Sequence, residues 1–394
     1  MFAVMLAAYW GAARYFQHTA TPDVAYFNNL ADAFLHGRLY LVNPPSTDDL
    51  TFYAGQWYVP FPPLPALLMV PWVALYGLAD VNTVFFGALF GALNVTLLFL
   101  LLRTLARQHR LTLSTGDLLW LTILFGLGSV HWYMATVGSV WFIAQICTVT
   151  FIVLAAWIAA TSGSAWLTGT ALALAILGRP TVILTWPLLV GVAMIHLPID
   201  PRPHRRFFNW YLLRWVISCL IPLGVAVVAL LLYNYARFAD PFDFGYMTEN
   251  VAGVLAPKLQ TYGQFNLHYL PKNFWAMWLA GPSWQEERNF WLPNPEGMSL
   301  LLTTPALIYL VRARDRAPAV LGGWLAFVLL MIPLLLYYNT GWWQFGYRFS
   351  LDFMVPVMVL LVFATRGRVT WPMRLLILVG IIVNAYGLNW WHQS

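Results

Sequence analysis

Charge is what this sequence has least of. Only 9% of its 394 residues are Asp, Glu, Lys or Arg, against about 25% in an ordinary soluble domain, while 60% are hydrophobic. So few charges cannot cover a water-facing surface of this size, which excludes a soluble globular protein; lipid as solvent removes the conflict. Cysteine is nearly missing too. Cys147 and Cys219 both fall inside apolar runs and read as small buried residues, which excludes a disulfide framework. No Cys/His spacing points to zinc, and no glycine-rich phosphate cradle points to direct use of a nucleotide. Haem would need paired histidines at one depth. His131 has no such partner, because His196 falls near the opposite face, so His131 reads as a single satisfied histidine. The net charge of +6 does not signal nucleic acid, since the basic residues sit in short loops between apolar runs.

What is present in quantity is apolar sequence and aromatic rings. Trp 21, Tyr 19 and Phe 26 suit a chain with two membrane interfaces. Runs long enough to span, or nearly so, fall at 1–17, 83–102, 117–134, 139–160, 165–178, 181–197, 211–235, 299–311, 319–338, 351–365 and 375–391. The expected fold is an all-α polytopic bundle of about eleven transmembrane helices, a single membrane domain over 1–394. The amino-terminal run lacks a basic n-region and a clear cleavage site, so it reads as a retained first span. There is no solenoid-period repeat and no low-complexity tract.

The arginines give the orientation. Four short loops are basic: Arg103, Arg107 and Arg110; Arg202, Arg205 and Arg206; Arg312, Arg314 and Arg316; and Arg366, Arg368 and Arg374. All four face the cytoplasm only if the proline-bearing run 64–80 stays on the outer side without spanning. That reading predicts a cytoplasmic amino terminus in a cell (inner or plasma) membrane. It also predicts a first outer loop of 18–80 with juxtamembrane helices, and a large outer loop of 236–298.

In TPDVAYFNNLADAFLH, residues 21–36, Thr21 is placed to cap, Pro22 to start and Asp23 to occupy the first turn of an amphipathic surface helix. Phe27, Leu30, Ala31, Phe34 and Leu35 line its apolar face. The stiff segment after it, ending in Pro62-Pro63, suits a fixed cleft at the membrane boundary. An acid opening an outer amphipathic helix, the turn GRLYL at 37–41, YVPFPPLPALLMVP at 58–71 and a basic loop after the next span together resemble GT-C superfamily membrane glycosyltransferases. The resemblance is to the bacterial branch related to protein O-mannosyltransferases and lipid-modifying sugar transferases. Gly178-Arg179-Pro180 and QFGYRFSLDF at 344–353 resemble further elements of that superfamily.

The resemblance implies an inverting transfer from a polyprenyl-phosphate-linked sugar donor to an acceptor hydroxyl on the extracytoplasmic face. It also implies that Asp23, at the position of the family's general base, is catalytic; the second acid often found next to it is replaced here by Val24. A first-turn acid also complements the helix dipole without any catalysis. Arg348 is the candidate for the lipid phosphate, with a salt bridge to Asp352 as its structural alternative. Arg179 is a second candidate, with snorkelling to the interface as the alternative. Lys272, His268 and Tyr58 complete the substrate-binding candidates, among aromatics and charges that would otherwise form an interfacial cap. No cofactor is expected; a divalent metal is conceivable, but nothing in the sequence indicates one. Membrane lipids and the donor are the expected partners, with the acceptor open and partner subunits conceivable. Two other classes compete: a non-catalytic GT-C-like subunit of a membrane complex, which the Val24 departure allows, and a lipid or sugar transporter. A transporter predicts related halves and charge buried at the midplane.

Overall fold

The computed structural model describes residues 1–198, 209–286 and 289–393. Arg202, Arg205, Arg206, Asp200, Glu287 and Arg288 lie outside the described residues. The chain begins with helix α1 (Phe2–Tyr15), followed by α2 (Phe27–Leu35), a short hairpin of β1 (Thr51–Tyr53) and β2 (Gln56–Tyr58), and α3 (Leu64–Tyr76). Next come α4 (Thr83–Gln108), α5 (Thr115–Gly126), α6 (His131–Met134), α7 (Val140–Thr161), α8 (Ala165–Ile176), α9 (Trp186–Ala193) and α10 (Trp210–Phe238). The second long loop carries α11 (Ala256–Tyr262), α12 (Leu270–Trp278) and a hairpin of β3 (Ser283–Gln285) and β4 (Phe290–Leu292). The chain closes with α13 (Leu300–Thr303), α14 (Pro318–Leu336), α15 (Leu351–Ala364) and α16 (Trp371–Gln393).

The protein is an all-α, multi-pass membrane protein. Among the described residues, five helices (α4, α7, α10, α14 and α16) are long and apolar enough to cross a bilayer. Helix α15 sits at the centre. Its sequence LDFMVPVMVLLVFA is apolar all round apart from Asp352, and every one of its 14 residues is buried. α4 packs on α1 and α7, α7 on α8, α8 on α10, and α9 on α14, which packs in turn on α15.

The remaining expected spans are shorter or broken. Run 299–311 divides at Pro305 into α13 and a 3-10 stretch Pro305–Arg312. Run 181–197 is a 3-10 turn Pro180–Thr185, α9 with Pro187 near its start, and a last 3-10 turn Met194–His196. Proline lacks the amide proton a continuous helix needs, so the tighter 3-10 form takes over there. Helix α3, with Pro71 inside it, has 13 residues. At 1.5 Å per residue it covers about 20 Å, less than a hydrocarbon core requires.

Among the described residues, three of the basic loops gather at one end of the bundle. Asp117 accepts from the Arg374 guanidinium at 3.2 Å and from the Val369 N–H at 3.0 Å, and the Thr112 hydroxyl donates to the Gly367 carbonyl at 3.2 Å. α14 runs from the Arg312–Arg316 loop at this end to Tyr337 and Tyr338 at the other.

The opposite end carries both long loops, and they are hydrogen-bonded to each other. The Asp49 N–H donates to the Asn250 carbonyl at 2.9 Å, and the Asn250 N–H to the Leu50 carbonyl at 2.8 Å. A bridge joins Thr51 to Glu249. The first loop departs from expectation at its helix, which starts at Phe27 and not near Pro22. Thr21 fails to cap it because its hydroxyl accepts from the Thr83 N–H at 3.2 Å and donates to the Val81 carbonyl at 3.3 Å, fastening the loop to the start of α4. Asp23 is therefore in a turn ahead of the helix and has no first-turn dipole role.

Candidate functional site

The buried charges converge at the amino-terminal end of α15. Arg348 opens a 3-10 turn, Arg348–Ser350, that feeds directly into the helix, and Asp352 lies in the helix's first turn. Arg179 arrives from the break between α8 and the 3-10 turn at Pro180. That break is tightly packed. The Leu177 carbonyl accepts from the Leu64 N–H at 2.9 Å, and a Cβ on Gly178 would overlap the Thr148 hydroxyl of α7. Gly178→Ala is accordingly expected to cost about 1–3 kcal/mol, read as a lower melting temperature in detergent. Adding Thr148→Ala should restore most of the loss. An unchanged melt in the single variant would contradict this close approach.

Asp352 belongs to Arg179. Its Oδ2 accepts from Nε at 3.0 Å and Nη2 at 2.8 Å, and its Oδ1 accepts from Gln145 Nε2 at 3.2 Å. The salt bridge to Arg348 anticipated from spacing is not made. Arg348 stands in the turn before the helix, so the one-turn geometry that pairs i with i+4 never forms.

Arg348 forms no ion pair among the described residues, although the charge of Asp49 reaches it. It is 5% exposed, and its Nε has no hydrogen-bond partner. What holds it is backbone and ring faces. Its N–H donates to Gln344 Oε1 at 2.8 Å, its carbonyl accepts from Gln145 Nε2 at 3.3 Å, and Phe349 and Phe142 lie 5.0 and 5.4 Å from the guanidinium. Gln344 is itself fixed, donating to the carbonyls of Glu296 at 3.0 Å and Thr340 at 2.8 Å. A ring face returns about 2 kcal/mol when desolvated, against several kcal/mol for burying an ion. The guanidinium, facing Asp49 without an ion pair to it, suits an anionic ligand.

A cavity of about 230 Å³ provides room for one. Arg348 and Arg179 line it, together with Asp49 from the first loop, Glu249 from the second, and a wall that includes Trp141, Tyr246 and Phe349. Asp49 is held in left-handed backbone conformation, φ 55°, which Asp tolerates better than most residues. Burial pushes its carboxyl up to about 6, opposed by a hydrogen bond from the Trp141 side chain and by the charge of Arg348. Glu249 is buried, with the Tyr338 hydroxyl 3.5 Å from its Oε2. Its carboxyl is pushed well above the usual carboxylate range by burial and then by Asp49.

Two of the sequence candidates, Arg179 and Arg348, thus come together. The others do not line this cavity. Asp23 is exposed in its turn, near enough for its charge, like those of Asp48 and Asp49, to act on the buried Tyr26 phenol. Tyr58 is buried against Phe238 and donates to Gln56 Oε1 at 3.3 Å. Lys272 is paired with Glu296 at 2.8 Å. His268 is exposed and stacks on Tyr262 at 3.9 Å. His131, fully buried, sits between the Tyr9 hydroxyl at 3.2 Å and the Asn94 amide at 3.3 Å.

Asp49 and Glu249 were missed by sequence reasoning, because acids in polar loops carry no signal of burial. Arg237 was missed too. It ends the long apolar helix α10, is 3% exposed, and donates to the Val59 carbonyl at 2.6 Å and Asn234 Oδ1 at 2.8 Å. A lone arginine closing an apolar run is a readable signal, and here it ties α10 to the first loop.

No family model matches the chain, and no curated protein matches it in sequence. Its fold is similar to that in the crystal structure of ArnT from Cupriavidus metallidurans bound to undecaprenyl phosphate, with a TM-score of 0.52 and 14% identity over 92% of this chain and 58% of that one. The chain thus spans less than two thirds of that structure's length. At this identity the likeness is one of fold, and it agrees with the GT-C resemblance carried by the first-loop motifs.

Proposed function

We propose that the chain is a glycosyltransferase that moves a sugar from a polyprenyl-phosphate donor to an acceptor hydroxyl. The observation that carries this reading is the buried Arg348, in no ion pair among the described residues, facing a cavity that also holds a carboxylate. The similarity to a structure bound to undecaprenyl phosphate supports the choice of anion. In the proposed step the acceptor oxygen attacks the anomeric carbon, and Asp49 takes the hydroxyl proton. The bond between that carbon and the phosphate oxygen breaks, and the lipid phosphate leaves against Arg348, with Arg179 as second contact. Attack from the side opposite the phosphate inverts the anomeric centre.

A second, almost wholly apolar cavity of about 400 Å³ would take the first isoprene units. Leu67, Val70, Leu177, Leu230 and Tyr233 line it. It shares a wall with the first cavity, since Pro62 and Gly178 face one and their neighbours Pro63 and Leu177 the other. Because the three described basic loops gather at the far end of the bundle, the positive-inside rule supports an extracytoplasmic reaction face in a cell membrane.

Asp49 replaces Asp23 as the proposed base because Asp49 lines the cavity and Asp23 does not. The experiment is transfer from labelled polyprenyl-phosphate sugars by membranes carrying Asp49→Asn or Asp23→Asn. Loss of a general base costs about 10²–10⁴-fold. That loss is expected for Asp49→Asn, with Asp23→Asn within a fewfold of wild type. The reverse ranking would return the role to Asp23, and full activity in both would remove the first-loop carboxylates from the mechanism.

A further inference from the structure

The first and second loops each contribute one carboxyl group to the same cavity, and the charges around them are unequal. Arg179 is committed to Asp352 through two hydrogen bonds, which leaves Arg348 as the cation available to the pair. Two anions in so enclosed a space would repel strongly, and a single guanidinium offsets one of them. The surroundings decide which. Asp49, from the first loop, faces Arg348 and receives the Trp141 hydrogen bond. Glu249, fixed one bridge away by its pairing with Thr51, is 9% exposed, and among the described residues its carboxyl group hydrogen-bonds only to the Tyr338 hydroxyl, at 3.5 Å.

We propose that Glu249 stands in the cavity as a neutral carboxylic acid and Asp49 as its one carboxylate anion, so that Glu249 is a positioning residue that offers a proton where an anion would repel the lipid phosphate. The titratable and charged groups facing the pair are Asp48 from the first loop, Tyr246 from the second, Tyr337 and Tyr338 after α14, and Arg348 before α15. The phenols stay uncharged in this range, and Arg348 stays charged. Burial acts on both carboxyls in the same direction, and Glu249, buried where Asp49 is half-buried, has neither the guanidinium nor the indole that favours the Asp49 anion. The proton therefore goes to Glu249 first.

The inference rests on the reading of Arg348 as a phosphate site, and a binding measurement separates the two. Undecaprenyl phosphate in detergent micelles is titrated into the purified protein near pH 7.5 and near pH 5. At the higher pH, Asp49→Asn should tighten binding by about tenfold, by removing an anion beside the phosphate. Glu249→Gln should change it by no more than about twofold, since an amide replaces an uncharged acid of the same shape. Near pH 5 the Asp49→Asn advantage should vanish, because Asp49 is then protonated in the wild type too. An infrared band of a protonated carboxyl, present at pH 7.5, should survive Asp49→Asn and be lost in Glu249→Gln. Tightening by Glu249→Gln as large as that by Asp49→Asn, or an infrared band that Glu249→Gln leaves in place, would overturn the assignment. If instead Arg348→Ala leaves binding unchanged, the phosphate site is what fails, while the infrared result still decides the state of Glu249.

Discussion

Replacing Arg348 with alanine is expected to lower sugar transfer by roughly 10²–10³-fold, with a melting temperature within about two degrees of wild type. The two halves of that expectation come from one observation. Arg348 is buried with no carboxylate of the described residues in an ion pair with it, so the folded protein gains little from its charge and carries the cost of desolvating it. Its side chain is held by rings, and its backbone by Gln344 and Gln145; the alanine variant keeps the backbone contacts. The cavity left by truncation and the relief from desolvation oppose each other, so net stability moves little. Function has no such offset. The leaving phosphate gains charge as the glycosidic bond breaks, and a fixed guanidinium in a water-poor site stabilises that change more than it stabilises the bound donor. Arg348→Lys should fall between, since it keeps the charge and loses the two-pronged geometry. A transfer assay paired with thermal melts in detergent checks both halves. An Arg348→Ala protein that melts well below wild type would make this arginine a structural element, and its lost activity would then say nothing about phosphate.

What was legible in the sequence follows from what the residues could announce locally. Long apolar runs announce themselves, and the arginines at their ends sort the bundle into two faces. Arg179 and Arg348 stand out because a charge beside an apolar run is expensive. Their partners are another matter. Neighbour reasoning offered Asp352 as an alternative partner for Arg348, four positions away, whereas its actual partner is Arg179, 173 positions away on another element. Asp49 and Glu249 sit in loops where carboxylates are ordinary, and only the pairing of the two loops buries them together. Helix ends were misread where a side chain had a better use elsewhere. Thr21 is a good cap by type, but it is taken by the start of α4. Pro180, Pro187 and Pro305 were visible from the outset, yet their effect, short and partly 3-10 segments in place of regular spans, depends on neighbours that supply the missing hydrogen bonds.

The Arg179–Asp352 pair is the opposite case to Arg348, and the same reasoning predicts the opposite outcome. Asp352 is 2% exposed at its side chain and Arg179 22%, and both guanidinium bonds to Oδ2 are short. Cutting such a pair on one side leaves a buried ion alone, at a cost of about 3–5 kcal/mol. Asp352→Ala should therefore depress the melting temperature by many degrees, with Arg179 stranded and the Gln145 amide left with one of its two acceptors, the Arg348 carbonyl. Asp352→Asn should do less harm, since an amide oxygen still accepts from Arg179. Removing both charges at once, as Arg179→Met with Asp352→Leu, should return most of the stability, because well-packed apolar groups of similar volume replace a buried ion pair at little cost. That double variant is also the clean test of Arg179 in catalysis. Its fork is already spent on Asp352, so its proposed contact with phosphate is secondary, and transfer should drop by about tenfold, well short of the Arg348→Ala loss. Full activity in a stable double variant would confine Arg179 to fastening the α8–Pro180 break onto α15. A double variant that stays as unstable as Asp352→Ala would show that packing at this junction, and not the charge pair, holds the centre of the bundle.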